Sequence, residues 1–215
     1  MDQARYATSI FAKYLNTAIV KASKRFYKNT LPYDMIITKA DASTSDEQVE
    51  KLNRGFNIHY RAFIGSFIYL LSTRVDLIFS VHKLAKLSAN PDKVHFEGLV
   101  RLLMYIRDNK NLGLKYYANI NDAPVSELLR QASIKTDNHL MDFSGSSWQD
   151  FPYTGRSTGA YIIFYQDGPI YYVTHFPGPV SQSSAESEYN ASCTAGMALA
   201  HLRMLIHDFL TWIQI

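Results

Sequence analysis

The chain has 215 residues, 47% of them hydrophobic and 19% charged, which allows one sizeable core or two small packed units and excludes a disordered chain. Its net charge of +3, from 22 basic and 19 acidic residues, is a slight lean towards an anionic partner and identifies none. A lone cysteine, Cys193, excludes an internal disulfide framework, fits a reducing compartment, and is expected as a buried, inert thiol on a helix face.

The N-terminal segment MDQARYATSIFAKYL is mixed polar and apolar, so it does not read as a signal peptide. The spacing of Ile10, Phe11, Tyr14, Leu15, Ala18 and Ile19 predicts a helix from residue 2 to about 26. It ends in KASKRFYK, the densest basic cluster. A solvated face is the default reading there, and phosphate tracking by Lys21, Lys24 and Arg25 is the alternative. Residues 29–58 read as a connector with a short helix starting near Ser45, whose spacing to Gln48 is that of a capping box.

From His59 the pattern becomes densely helical. HYRAFIGSFIYLLS puts Phe63, Phe67 and Leu70/Leu71 on one stripe. TRVDLIFSVHKLAKLSANP supplies a second helix stopped by Asn90-Pro91, and a third begins with Pro91 near its first turn and ends before Gly113. Connections this short predict one packed helical unit over 59–112. The apolar run AFIGSFIYLL is about half the length a membrane span requires. Soluble and intracellular, in cytoplasm or nucleus, is the expectation.

β structure is expected from LKYY at 114–117, and then, after a loop, at about 134–144, 157–165 and 169–176. Between the first two of these strands lies a tight excursion closed by Trp148 and Gly155. The 15 tyrosines suit half-buried sheet surfaces, where the ring packs and the hydroxyl stays wet. Asp167-Gly168 between the last two strands is a tight-hairpin signal. VSQSSAESEYNASCTAGMALAHLRMLIHDFL reads as a long helix with Ser184 as N-cap and Glu186 and Glu188 in the first turn. Its core face is expected to carry Tyr189, Cys193, Gly196/Met197, Ala200, Met204 and Leu205. The fold class is thus α/β (α+β), and a chain that stops just after this helix looks C-terminally truncated, since half of a mixed sheet leads one to expect another strand.

YRAFIGSFIYLLSTRVDLIFSVHKLAKLSANPDKVHFEGLVRLLMYIRDNKNLGLKYY resembles the segment between polymerase and ribonuclease H in copia-type retrotransposon polyproteins. DFSGSSWQDFPYTGRSTGAYIIF and VSQSSAESEYNASCTA are similar to the start of that family's ribonuclease H domain, and MDQARYATSIFAKYL to the helix after its primer grip. The resemblance covers nearly the whole chain and is strongest over 60–112 and 142–206. It implies a thumb-like helix and connector over 1–58, a helical connection over 59–112, and an incomplete ribonuclease H-like domain over 113–215.

The polymerase's paired aspartates would lie upstream of Met1, so the resemblance implies no nucleotide addition by this chain alone. The family's ribonuclease H site uses about four carboxylates to hold two Mg²⁺ ions. With Trp148 on the family tryptophan and Phe143 on its tyrosine, the first catalytic aspartate falls on Gly145 and the next acid on Ser147. Glu188 matches the catalytic glutamate, and the remaining acids belong to segments beyond Ile215. Asp142 is three residues from Gly145 and points to the opposite sheet face, and Asp150 approaches only if its loop folds back. Serine oxygens do not replace a carboxylate's charge. The expectation is a vestigial Glu188, no functional Mg²⁺ site, no metal or other cofactor, and no hybrid cleavage.

The seven histidines show no metal-ligand spacing; His201 and His207, six apart, do not stack on a helix. His175 beside SQSS lacks the Gly-x-Ser-x-Gly elbow a serine hydrolase needs. Arg156 in GRSTG is an exposed turn arginine by default and a phosphate contact otherwise. Lys93, Arg101 and Arg107 are candidates for a nucleic-acid groove, yet Arg101 and Arg107 do not share a stripe. Three roles remain open: a decayed retroelement remnant, a weak binder of RNA–DNA hybrid or other nucleic acid, and an interaction piece whose unpaired sheet edge is completed by a protein partner. No membrane partner is expected.

Overall fold

The computed structural model describes residues 3–14, 45–116, 140–151, 154–165, 168–175 and 180–213. It is mixed α/β and divides into two compact units, Met1–Gly113 and Leu114–Ile215.

The first unit is helical. Its elements are α1 Gln3–Tyr14, α2 Asp46–Phe56, α3 Tyr60–Leu70, a 3₁₀ turn Val75–Leu77, α4 Ile78–Ala85 and α5 Lys93–Asp108. The expected helix to residue 26 is described only as far as Tyr14; Lys21, Lys24 and Arg25 lie outside the described residues. At α2 the Ser45 hydroxyl accepts from the Gln48 amide and the Gln48 side chain accepts from the Ser45 amide, as the spacing predicts. Asn57 in the left-handed region, at φ 50, ends that helix.

The predicted stripe is the core: Phe63, Phe67 and Leu70 are fully buried with Leu77, Leu84, Phe96, Leu99, Leu102, Leu103 and Ile106. α5 begins at Lys93, capped by Asp92, whose own amide donates to Nδ1 of His95 at 2.7 Å. Pro91 therefore precedes the helix rather than opening it. The second expected helix is interrupted, because the chain first makes the 3₁₀ turn at Val75–Leu77. Arg74 fixes that turn. Its Nε and Nη2 donate to the two Asp76 oxygens at 2.9 and 2.8 Å, and Nη1 donates to the Asn109 carbonyl at 2.9 Å. Burial pushes the Tyr60 hydroxyl far above its ordinary pKa; it donates to the Leu84 carbonyl at 2.9 Å.

The second unit is a three-stranded antiparallel meander, β1 Leu140–Phe151, β2 Arg156–Tyr165 and β3 Gly168–His175, followed by α6 Ser184–Ile213. β2 and β3 match their predicted spans. β1 runs seven residues beyond its expected end at residue 144, because a bulge between Ser147 and Phe151 keeps pairing as far as Phe151↔Arg156. Three residues of β1, 148–150, there face the single Ser157 of β2, and Gln149 adopts φ 49. Its amide donates to the Ser157 hydroxyl at 3.2 Å. The expected strand at 114–117 does not form over its described residues, Leu114–Tyr116. Instead the Tyr116 hydroxyl donates to the Pro169 carbonyl at 2.9 Å.

α6 packs mainly on β1 and β2. Its N-cap is Ser183, one residue before the predicted Ser184, since the Ser183 hydroxyl accepts from the Glu186 amide at 3.1 Å. The predicted core face is also corrected. Tyr189, Met197, Met204 and Leu205 are 74%, 64%, 66% and 50% exposed, and Cys193 is exposed. Ser187, Ala191 and Ala195 are buried instead, Ala195 against Tyr161 and Ile163 with Leu140, Val173, Ala198, Leu199 and Leu202 around it. Small residues on the helix meet Gly159 on the sheet, where an added Cβ would lie 3.6 Å from the Ala191 Cβ. That close approach turns the larger side chains outward.

Candidate functional site

The residues singled out around Gly145 and Glu188 do come together. Strand alternation pairs Ser146 with Gly159 and Ser144 with Tyr161, so Ser144 and Ser146 share the face on which α6 lies. The Ser146 hydroxyl donates to the Ser187 hydroxyl at 2.7 Å, and the Ser144 and Ser192 hydroxyls are 3.2 Å apart. Oε2 of Glu188 accepts from the Ser146 amide at 3.1 Å. A Cβ placed on Gly145 would lie 3.9 Å from the same oxygen. A serine-lined seam with one carboxylate thus joins the middle of β1 to the first turns of α6.

Neither neighbouring acid takes the place of a carboxylate at Gly145. Both Asp150 oxygens accept from the Thr158 hydroxyl at 2.8 Å, which ties Asp150 to β2. Asp142 pairs with Ile163 on the helix-side face, the opposite parity to Gly145. Trp148 holds the end of β1 to the entry of α6 through its Nε1–H, which donates to the Ser181 carbonyl at 3.1 Å. Among the described residues no three of His, Cys, Asp and Glu gather as a metal-binding group.

The candidate cations are scattered. Arg156 is exposed at the start of β2. In the helical unit Lys93 pairs with Glu97 at 3.8 Å, while Arg107 pairs with Asp108 and lies over the Phe11 ring. No described helix is long and apolar enough to cross a membrane.

Two features were not singled out from the sequence. One is the serine seam, whose signal was the run Ser144-Gly145-Ser146-Ser147 set against SQSSAES. The other is the setting of His175, weighed from the sequence only as a hydrolase histidine: it pairs with Gly159, and its imidazole fills the space a Cβ there would need, 3.1 Å from its Cε1. Both ring nitrogens are buried, and neither has a hydrogen-bond partner among the described residues. Desolvation lowers the pKa of this histidine.

Comparison with curated proteins places similar sequence in transposons. The chain is 24% identical over 196 residues to the retrovirus-related Pol polyprotein from transposon RE1 of Arabidopsis thaliana, covering 88% of this chain and 12% of that protein. It is 23% identical over 213 residues to the corresponding RE2 polyprotein, covering 96% of this chain and 14% of that one. It is also 27% identical over 136 residues to secreted RxLR effector protein 161 of Plasmopara viticola, covering 63% of this chain and 84% of that protein. The chain therefore spans only about an eighth of the polyproteins' length. No family model and no solved structure matches it significantly. The polyprotein similarities support a copia-type retrotransposon Pol origin.

Proposed function

We propose that this chain is a retrotransposon-derived piece of the reverse transcriptase–ribonuclease H region that does not cleave RNA–DNA hybrids as it stands. The observation that carries this reading is the pairing of Glu188 with a glycine. The position that would place a second carboxylate beside Glu188 is Gly145, with only a hydrogen where a ligand side chain would begin 3.9 Å away. A pair of Mg²⁺ ions held for phosphodiester hydrolysis needs several anionic oxygens converging on one point. One carboxylate that already accepts a backbone amide does not fit that demand, and Ser146 and Ser147 add no charge. No step through such ions is assigned to this chain.

Nucleic-acid binding without cleavage is the second reading, favoured by the basic cluster KASKRFYK. Contacts of that kind follow backbone shape and charge and need no acids. Both readings are tested by titrating a labelled RNA–DNA hybrid with the chain at two salt concentrations with Mg²⁺ present, followed by anisotropy and by gel analysis of the strands. Intact strands are expected throughout. Cleaved RNA overturns the proposal. Binding that weakens steeply with salt supports the second reading, and no binding at either salt removes it.

A further inference from the structure

β1 is an edge strand, paired on one side with β2 and, among the described residues, unpaired on the other. An open edge offers a row of unused amides and carbonyls to any extended chain, and folded proteins blunt such edges with charge, bulges or proline. β3, the other edge, carries Pro169. Over Leu140–Phe151 β1 has no proline and no lysine. Its last residues are distorted by the bulge at Ser147–Phe151, and between Leu140 and Ser147 the strand's own charge is Asp142 alone, so most of that stretch needs protection of another kind.

The Ser146 amide goes to Glu188 rather than to β2. Backbone groups of successive strand residues point alternately to the two sides, so the amides of Ser144 and Asp142 share the open side with that of Ser146. Glu188 therefore stands near the bulge end of this open stretch, with its carboxylate on a donor that an incoming strand would require. A strand added there would displace that bond and desolvate the charge without a counter-ion.

We infer that Glu188 acts as an edge guard, preventing a second copy of this chain from adding its β1 antiparallel to the first. A second copy is the occupant the geometry selects. α6 runs along β1, with Ser187 at Ser146 and Ser192 at Ser144, and packs over β1 and β2. Strands spaced about 4.8 Å apart across a twofold axis would set the two α6 helices about 10 Å apart, the ordinary separation of packed helices. The side of α6 next to this edge carries Ser192 and Gly196, and nothing lies within 4 Å of a Cβ placed on Gly196. Without the carboxylate, pairing would be sterically open. This inference is independent of whether the chain binds nucleic acid.

The test is sedimentation velocity over a concentration series, together with residue-resolved amide exchange, on the full chain. The native protein is expected to keep the Ser146 amide protected while those of Asp142 and Ser144 exchange freely. Glu188→Ala is expected to self-associate about tenfold more tightly, and all three amides should then become protected as concentration rises. Glu188→Gln, which retains an oxygen for the Ser146 amide and removes the charge, should fall between. Glu188→Ala combined with Ser146→Pro should return to the native mass, because proline removes the donor and tolerates an edge position. The inference fails if the native amides of Asp142 and Ser144 are already protected, if both Glu188 variants keep the native mass at every concentration, or if they associate with those amides still exchanging.

Discussion

Arg74 is only 2% exposed, yet it carries its charge into the helical unit. It is held there by a two-pronged contact with Asp76, by the Asn109 carbonyl, and by the Tyr105 ring 5.9 Å away. Removing the guanidinium leaves Asp76 and a helix-end carbonyl without these donors. Arg74→Ala is expected to destabilise the unit by about 3–5 kcal/mol, read as a drop in the urea midpoint. Arg74→Lys should recover only part, since an ammonium lacks the planar fork. Equal midpoints for all three proteins would show that the burial is incidental.

His175 gives a pH prediction with a definite sign. Desolvation lowers its folded pKa below the ordinary 6.5, so the unfolded chain takes up the proton first as pH falls. Its contribution to stability is complete above about pH 6.5 and is lost as pH falls from there through the folded value. The difference in unfolding midpoint between the native chain and His175→Phe should therefore change between pH 7.5 and 5.5, with the native protein losing more. Parallel profiles would refute it. At Gly145 the reverse substitution is informative. Gly145→Asp sets a second carboxylate beside Glu188 and should cost on the order of 1 kcal/mol at neutral pH through like-charge repulsion. Millimolar Mg²⁺ should then raise the melting temperature of this variant and leave that of the native chain unchanged. A variant that melts alike with and without Mg²⁺ would show that the two side chains do not face one another.

At the level of elements, the sequence was most readable where one periodicity dominated. Phe63, Phe67 and Leu70 stand out on a helix whose other face is more exposed, and Ser45 with Gln48 is a local signal needing no tertiary partner. α6 was misread because apolar residues surround it, so the choice of face depended on size. Large side chains at Tyr189, Met197 and Met204 looked like core, whereas close approach to the sheet selected small ones: Ser187 at Ser146, Ala191 at Gly159, and Ala195 against Tyr161 and Ile163. The Asp167-Gly168 signal located the hairpin for a different reason. Gly155, at φ 62, is the described glycine in the left-handed region. Gly168 matters because a Cβ there would lie 2.4 Å from the Tyr116 ring. Gly168→Ala should thus destabilise the sheet unit by about 1–3 kcal/mol, and adding Tyr116→Ala should relieve most of the clash. If the double variant is no better than the single one, the backbone rather than Tyr116 sets the requirement. The pairing of Glu188 with Gly145 was legible only by setting family motifs against these residues, since neither residue type announces a site.

For the whole molecule, the contrast between the two units decides where stability resides. The helical unit has more than ten fully buried large side chains, from Phe63 and Phe67 on α3 to Leu102 and Leu103 on α5. In the sheet unit the buried cluster is Tyr161, Ile163 and Ala195, and α6 leaves Phe209, Trp212 and Ile213 at 61%, 75% and 58% exposed. Apolar burial at about 25 cal/mol per Å² is the main term opposing chain entropy. The unit with the smaller core should therefore open first. Native-state amide exchange is expected to rank the interior amides of α3 and α5 above those of β2 and α6 by at least tenfold, about 1.4 kcal/mol. The last turns of α6, whose apolar side chains Phe209, Trp212 and Ile213 are exposed, should exchange fastest of all. Protection of β2 equal to that of α5 would mean that the exposed face of α6 is covered in solution, and a concentration series would show whether a second copy covers it.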